Sequence, residues 1–265
     1  MRPFLRWAGG KRWLTQQRVI APSNAVRLIE PFLGGGALFF SREWKGAVLS
    51  DLNLFLINAY NWMREDHAAL FSLLNEHFDS HSSAYYYSVR ARMSASSLQD
   101  AADFIYLNRA CFNGLFRVNL SGRFNVPIGT KVYELRDKAC FEGWAARLKG
   151  ADIRIADFAE TIDACGEGDF IFADPPYTVN HNSNGFIEYN EKIFSWDDQV
   201  RLHSCLLRAS ERGAQFALTN ADHLTVRELY EGCPLQTIER GSEMAGRTSA
   251  RGRTTEVIIT SPGSM

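Results

Sequence analysis

The sequence has few of the features that would mark a secreted, membrane-bound or zinc-stabilised protein. Its five cysteines are odd in number, widely spaced and without a CxxC pair, which argues against a disulfide framework and a thiolate zinc site. No apolar run approaches the roughly 20 residues of a membrane-spanning helix, and the start MRPFLRWAGGKRW lacks the apolar segment of a signal peptide. We therefore expect a cytoplasmic protein with no metal and no membrane partner.

The chain also lacks an excess of charge. Its 265 residues carry a formal net charge of −1, so any polyanionic partner must be met by a local basic patch. Residues 101–150 are one such patch, since they contain 8 arginines and lysines against 4 acidic residues. The length allows one large domain or two smaller ones.

Strands that alternate with helices predict an α/β fold with a mostly parallel sheet covered on both faces. The stretch at about 56–135 interrupts this alternation, and we interpret it as an inserted, mostly helical subdomain with a hairpin over 113–129. The predicted strands are 26–32, 47–51, 152–157, 169–174, 215–220 and 253–261. The predicted helices are 37–44, 54–78, 100–112, about 135–149, 195–213 and about 223–231.

Ligands of open α/β sheets bind beyond the carboxyl ends of the strands, so the residues after each strand are the candidates for a site. The triple glycine after Phe32 lets the backbone approach a ligand, and Asp51 is placed to accept from ribose hydroxyls. This glycine segment is neither GxGxxG nor a lysine-containing phosphate loop, which favours a nucleoside over NAD or ATP. A plain flexible turn followed by a solvated aspartate would show the same pattern.

The segment WAGGK, residues 7–11, combines an aromatic ring, a flexible pair and a cation. It could clamp a ligand that has a carboxylate and a flat face, or form an exposed terminal turn.

The segment DPPY, Asp174 to Tyr177, ends a buried apolar run and predicts an acceptor-rich pocket with a stacking wall. The prolines fix the course of the chain and remove two donors, which leaves the Asp174 carboxylate and the Pro175 carbonyl as acceptors. Two acceptors suit a planar group that bears NH2, because they bind both hydrogens while Tyr177 packs on the ring. Such a nitrogen could attack an electrophilic methyl group by positioning and electrostatics alone. A rigid strand-exit turn is the alternative.

Six segments together resemble the Dam-like DNA adenine methyltransferases, which methylate adenine in short duplex sites such as GATC. They are RWAGGKRWL, EPFLGGGALFF, SDLN, YLNRACFNGLFRVNLSGRFNVPIG, ADF and DPPY, in the order and spacing typical of that family. The resemblance implies a Rossmann-like S-adenosylmethionine-dependent sheet formed by residues 1–55 and 136–265. It also implies that residues 56–135 are an inserted DNA target-recognition domain.

The resemblance further assigns roles to individual residues. The catalytic group is Asp174, Pro175, Pro176 and Tyr177, which would hold an adenine flipped out of the duplex. The residues expected to bind S-adenosyl-L-methionine are Trp7, Gly9, Gly10, Lys11, Pro31, Phe32, Gly34, Gly36, Asp51, Asp157, Phe158 and Asp174. Asp157 and Phe158 would meet its adenine ring.

Double-stranded DNA is the expected partner, and the hairpin is the expected reader of its sequence. Arg117 matches the family position that reads a guanine, which is physically reasonable because a guanidinium can bind O6 and N7 together. Leu115 matches a residue that wedges between base pairs. A phosphate contact is the alternative for Arg117. The residues that the resemblance assigns to DNA binding are Leu115, Arg117, Asn119, Asn125 and Pro127.

Several alternatives stay open at the level of sequence. The same chemistry serves the amino group of cytosine or a protein glutamine, and a catalytically silent DNA-binding regulator could descend from such an enzyme. We expect a monomer in a bacterial or phage-encoded system, and a cognate restriction enzyme stays open as a partner. His77 and His81 stand four apart like helical metal ligands, but without a third ligand we expect surface histidines. A second basic cluster, Arg247, Arg251 and Arg253, could close on DNA or form a solvated loop.

Overall fold

The computed structural model describes residues 1–7, 9–11, 25–119, 121–178, 194–241 and 253–263. The fold is mixed α/β with a seven-stranded sheet, which confirms the predicted Rossmann-like fold class. The chain divides into two compact units, one formed by residues 1–18 and 33–156 and the other by residues 19–32 and 157–265. Residues 56–135 fall within the first unit, and their boundaries as a target-recognition domain stay a prediction.

The first unit contains two strands and six α-helices among its described residues. Strands β2 (Gly46–Asp51) and β3 (Ala151–Ile155) pair in parallel, so that Asp51 lies opposite Ile155 at their carboxyl ends. The helices are α1 (Ala37–Ser41), α2 (Leu54–Glu65), α3 (His67–Asp79), α4 (Ser83–Arg92), α5 (Leu98–Ala110) and α6 (Lys138–Leu148).

The prediction of one helix over 54–78 was wrong, because a second helix begins at residue 67. Asp66 leaves helical geometry at φ −144° and its side chain accepts a hydrogen bond from the Ala69 N–H, which caps α3. Helix α4 was not predicted from the sequence. Ser82 caps it through the Tyr85 N–H, and Tyr86 and Val89 are its buried residues.

A buried polar cluster joins the helices of the first unit and corrects the expectation of surface histidines. His77 is 2% exposed, and its Nε2 lies 3.1 Å from a carboxylate oxygen of Asp103, which is itself 1% exposed. Arg92 donates two hydrogen bonds to the same carboxylate at 2.7 and 2.9 Å. Burial raises the pKa of Asp103, but the bonds from Arg92, His77 and Gln99 outweigh burial and lower the pKa to about 2. The charge on Asp103 is thus stabilised in place.

The second unit has the strand order β1-β4-β5-β7-β6. The pairs β1–β4 and β4–β5 are parallel, and β7 is antiparallel to both β5 and β6. Its strands are β1 (Arg27–Glu30), β4 (Asp169–Ala173), β5 (Gln215–Ala221), β6 (Leu235–Gly241) and β7 (Arg253–Thr260). Its α-helices, within the residues described, are α7 (Phe158–Asp163), α8 (Trp196–Glu211) and α9 (Leu224–Leu229).

Local sequence signals account for most of these elements. A capping box is present at the start of α8, where the side chains of Ser195 and Asp198 each accept a hydrogen bond from the backbone N–H of the other. Strand β6 was not predicted, because it is an edge strand in which Gln236, Thr237 and Glu239 are exposed, so the strand lacks a strong apolar pattern.

Candidate active site

In the first unit, the turn after residue 33 is tied to Asp51 at the end of β2. The Gly34 N–H donates to one oxygen of the Asp51 carboxylate at 3.2 Å, and the Asn53 N–H donates to the other at 3.0 Å. Burial raises the pKa of Asp51, and the backbone N–H groups of Asn53, Gly34 and Leu52 oppose that rise. Asp51 is therefore an oriented acceptor at a strand end, as a ribose-binding residue must be.

Trp7 covers the same turn. A Cβ atom at Gly34, which has φ +46°, would lie 2.8 Å from Cδ1 of Trp7. Only glycine therefore fits both the backbone angle and the space at this position. The Gly10 N–H donates to the Trp7 carbonyl, and the buried Lys11 donates from Nζ to the Gly9 carbonyl at 3.0 Å. The WAGGK segment is thus a folded turn and not an exposed terminus, although Ala8 lies outside the described residues.

Gly36, the last glycine of the same turn, lies at the N-cap of α1 with φ +61°. A Cβ atom there would lie 2.8 Å from the hydroxyl of Tyr60, a fully buried residue of α2. Gly36 therefore permits close packing of the turn on α2. Its expected contact with a cofactor stays a prediction.

In the second unit, Asp157 and Phe158 lie at the start of α7 and are both in contact with Arg201 of α8. Arg201 donates to the two oxygens of Asp157 at 2.7 and 3.0 Å, and its guanidinium lies 4.1 Å from the centre of the Phe158 ring. Phe32 stacks on Phe158 with ring centres 5.4 Å apart, and Pro31 before it is buried. Because Phe158 is only 3% exposed, it offers a ligand its backbone more readily than its ring.

The DPPY segment follows β4 and is held by two other strands of the second unit. The Thr219 hydroxyl on β5 donates to Oδ1 of Asp174 at 2.6 Å. The Tyr177 hydroxyl donates to the Glu256 carboxylate on β7 at 3.2 Å. Asp174 and Tyr177 are half-buried, so their side chains are fixed and still accessible. The sequence did not single out Thr219 or Glu256.

Residues 111–128 form the predicted hairpin with sparse strand pairing. Antiparallel bridges join Cys111 to Ile128 and Val118 to Phe124, and the Gly122 N–H donates to the Asn119 carbonyl at 2.9 Å. The Asn119 side chain accepts from the Ser121 and Arg123 N–H groups at 3.0 Å. Asn119 therefore shapes the turn, and its expected contact with DNA stays a prediction.

Arg117 and Asn125 face each other across this hairpin. The exposed Arg117 donates from Nε to Oδ1 of Asn125 at 2.8 Å, and the Asn125 N–H donates to the Arg117 carbonyl at 3.1 Å. The bond uses only Nε, so the terminal nitrogens Nη1 and Nη2 stay available to a ligand. The geometry is compatible with a bidentate contact to a guanine edge.

The other hairpin residues expected at DNA are Leu115, which is half-buried, and Pro127, which is exposed. Phe116, which the sequence did not single out, anchors the hairpin. Its ring lies 5.9 Å from that of Trp7 at an interplanar angle of 16°. Three further rings, those of Phe55, Phe104 and Phe124, lie within 5.8 Å of it.

Two expectations concern metals and the second basic cluster. No group of three or more His, Cys, Asp or Glu side chains that could hold a metal occurs in the described part of the chain. Arg247 and Arg251 lie outside the described residues, and so does the side chain of Arg253.

No helix within the described ranges is long and apolar enough to cross a membrane.

The α/β sheet and the Asp-Pro-Pro-Tyr segment that follows β4 are features expected of a methyltransferase that acts on a planar amino group. The family model for "D12 class N6 adenine-specific DNA methyltransferase" matches residues 7–245 of this chain. The chain therefore belongs to this family and is an adenine-specific DNA methyltransferase, which confirms the resemblance seen in the sequence.

Individual relatives agree with this assignment. The chain is 35% identical to Type II methyltransferase M1.LlaDCHI of Lactococcus lactis subsp. cremoris, over 99% of this chain and 96% of that protein. It is 39% identical to the DNA N-6-adenine-methyltransferase of Escherichia phage P1, over 86% of this chain and 31% of that protein. It is 27% identical to the DNA adenine methylase of Escherichia coli strain K12, over 97% of this chain and 94% of that protein.

Proposed function

We propose that this enzyme transfers the methyl group of S-adenosylmethionine to the exocyclic amino group of an adenine flipped out of a short duplex site. GATC is the leading candidate for that site. The observation that carries the proposal is the half-buried Asp174 at the end of β4, held in one orientation by Thr219 and followed by two prolines.

The chemistry at this segment follows from what its residues accept. The Asp174 carboxylate and the Pro175 carbonyl would accept the two hydrogens of the adenine amino group, while Tyr177 packs on the ring. Both hydrogen bonds draw the nitrogen lone pair out of the ring, so the nitrogen becomes more tetrahedral and more nucleophilic. Orientation and fixed acceptors then supply the acceleration, and no strong base is needed. Extrusion is required, because an amino group inside the duplex cannot reach a methyl donor.

The residues of the first unit fit the nucleoside and amino-acid parts of S-adenosylmethionine, which supplies an electrophilic methyl group when bound. Asp51 is oriented by the N–H groups of Gly34 and Asn53, as an acceptor of ribose hydroxyls should be. A Cβ atom at Gly34 would fill the space against Trp7 and close the turn to a ligand. Lys11 brings a cation for a carboxylate.

The second unit offers Asp157 and Phe158 for the adenine ring of the cofactor. The Asp157 carboxylate is paired with Arg201 and also caps α7 through the Ala159 N–H at 2.9 Å. Phe158 packs between Phe32 and Arg201. We therefore assign hydrogen bonding to the backbone of Phe158 and a supporting role to its ring.

Target recognition is assigned to the hairpin at residues 111–128. Arg117 bonds to Asn125 through Nε and would use its terminal nitrogens to bind O6 and N7 of a guanine. Leu115 would wedge between base pairs, and the exposed Pro127 would offer an apolar contact. The relatives named Type II methyltransferases suggest a cognate restriction enzyme as a partner, and the phage relative suggests a phage-encoded role. We expect a monomer, since the enzyme modifies one strand at a time.

The test is modified-base sequencing of plasmid DNA from a methylation-deficient host that expresses the protein. Methylated adenine confined to one short motif is the expected result, and it also names the target. Transfer of labelled methyl from S-adenosylmethionine to the same plasmid, with purified protein, tests the donor. Unmodified adenine in the presence of folded protein and ample donor would contradict the proposal. Modified cytosine would indicate another amine, and DNA binding without transfer would indicate a silent descendant.

A further inference from the structure

Asp174 is a strand-end aspartate that cannot be oriented by the backbone in the usual way. An aspartate at such a turn commonly accepts from the N–H groups of the next residues, which fixes its carboxylate. Asp51 does so through Asn53, two residues on. The residues after Asp174 are Pro175 and Pro176, which have no N–H. A donor that orients Asp174 must therefore come from beyond the next two residues.

Thr219 provides such a donor from the neighbouring strand. Strands β4 and β5 are parallel with Ala173 opposite Leu218. Thr219 is the next residue of β5, and Asp174 is the first residue after β4. The Thr219 hydroxyl lies 2.6 Å from Oδ1 of Asp174, and Thr219 is 1% exposed. This short hydrogen bond from a buried hydroxyl to a carboxylate belongs to the stronger class of protein hydrogen bonds.

We propose that Thr219 is a positioning residue, which fixes the carboxylate of Asp174 so that its acceptor atoms face the amino group of the target adenine. The inference rests on the proposed function and assigns a determinant of catalysis to β5. Because the hydroxyl holds Oδ1, the carboxylate cannot rotate freely about its bond to Cβ, and the acceptor geometry exists before the adenine arrives.

The next residue of β5 supports the other end of the same segment. The Asn220 side chain donates from Nδ2 to Oε1 of the Gln199 side chain at 3.1 Å. Gln199 in turn donates from Nε2 to the Thr178 hydroxyl at 3.2 Å. Gln199 and Asn220 are both 0% exposed, and Thr178 is 8% exposed. Successive side chains of β5 thus reach both ends of the DPPY segment, one directly and one through α8.

The test compares three variants of the full-length enzyme with the wild type. Thr219→Val keeps the shape of the side chain and removes the hydroxyl, whereas Thr219→Ser keeps the hydroxyl and removes the methyl group. Thr237→Val is the matched control, since the Thr237 hydroxyl on β6 also makes a 2.6 Å hydrogen bond, in its case accepting from Arg227. Single-turnover methyl transfer is measured at saturating DNA and S-adenosylmethionine.

Thr219→Val should lower the single-turnover rate roughly 10- to 100-fold, the usual effect of losing a hydrogen bond to a charged group. Thr219→Ser should restore the rate to within about threefold of the wild type, and Thr237→Val should leave it unchanged. The affinity for S-adenosylmethionine and the melting temperature should change little in all three. A rate that falls equally in the Ser and Val variants would assign the effect to packing and overturn the inference.

A binding measurement tests the same contact without turnover. With S-adenosylhomocysteine bound, the Kd for a duplex with adenine at the target position is compared with the Kd for a duplex with purine, which lacks the amino group. The ratio of the two Kd values should shift against adenine in Thr219→Val and return in Thr219→Ser. An unchanged ratio together with an unchanged rate overturns the inference.

Two further provisions keep the outcomes distinct. If Thr219→Val does not fold, Thr219→Ala replaces it, because Ala and Ser differ only by the hydroxyl. A wild-type protein that methylates no adenine refutes the proposed function. A wild type that methylates adenine, with a Thr219→Val variant of equal rate, refutes only the role of Thr219.

Discussion

Replacing Asn125 with alanine should reduce the ability of the enzyme to distinguish its target sequence, although Asn125 need not touch a base. The Asn125 side chain accepts a 2.8 Å hydrogen bond from Nε of Arg117, which is otherwise an exposed, flexible side chain. The bond uses Nε alone and leaves Nη1 and Nη2 of the guanidinium available to a base. Asn125 therefore orders Arg117 before DNA binds.

The expected magnitude follows from what each variant removes. Arg117→Ala should remove the proposed bidentate contact to a guanine, and such a contact is worth about 1–3 kcal/mol of discrimination. Asn125→Ala leaves that contact available but adds the cost of ordering a long side chain, about 0.5–1.5 kcal/mol, or about a 2- to 10-fold loss. The double variant should discriminate no worse than Arg117→Ala, because Asn125 acts only through the arginine.

The assay is the ratio of kcat/KM for the preferred duplex to kcat/KM for each single-base variant of that duplex. Asn75→Ala is a matched control, since Asn75 on α3 also accepts a hydrogen bond from an arginine, Arg136, at 3.0 Å. It should leave the ratio unchanged at every position of the site.

Two results would refute this reasoning. If Asn125→Ala kept full discrimination while Arg117→Ala lost it, the hydrogen bond across the hairpin would have no role in recognition. If the two losses simply added in the double variant, Asn125 would contact DNA independently of Arg117. A loss confined to the base position that Arg117→Ala affects is the expected pattern.

Three other substitutions test the site and its support. Asp174→Ala should lower methyl transfer at least about 100- to 1000-fold in a protein that still folds, since it removes an acceptor at a half-buried rim; labelled transfer measures the rate, thermal melts check the fold, and full activity would contradict the prediction. Gly34→Ala should weaken S-adenosylmethionine binding about tenfold or more in calorimetry, because its Cβ would lie 2.8 Å from Trp7; Gly232→Ala, at φ +90° with open space around it, should not. Asp103→Asn should lower the free energy of unfolding in urea by about 2 kcal/mol at pH 7, because the pKa of Asp103 is lowered to about 2. The stability that the charge of Asp103 contributes is complete above the unfolded pKa of 3.8 and disappears as the pH falls towards 2. If the variant lost the same free energy of unfolding at pH 2 as at pH 7, the stability would not come from this charge.

The strands and the strand-end residues could be predicted from the sequence because their signals are local. Each apolar run ends in a residue that cannot continue a buried strand, as Asp51 and Asp174 do, and the capping box at Ser195 marks the start of α8. The break at Asp66 was missed because the apolar spacing continues across it, and only the cap shows that a new helix begins.

Most partners of the site residues could not be predicted, because they lie far away in the chain. Thr219 is 45 residues from Asp174, and Arg201 is 44 residues from Asp157. No spacing rule relates such pairs, which meet only when neighbouring strands and helices pack. The same reason hides the burial of His77, whose partner Asp103 lies on another helix.

Equivalent positions in the sequence therefore differ in chemistry once these partners are known. Asp51 and Asp157 both follow predicted strands, and both are expected near the cofactor. Asp51 is oriented by backbone N–H groups, which stabilise a carboxylate without cancelling its charge. Asp157 forms a two-bond ion pair with Arg201, which compensates its charge and leaves it to order the start of α7. Asp51 is consequently better suited to the proposed contact with ligand hydroxyls, whereas the Asp157 carboxylate is already bonded to Arg201 and to the Ala159 N–H.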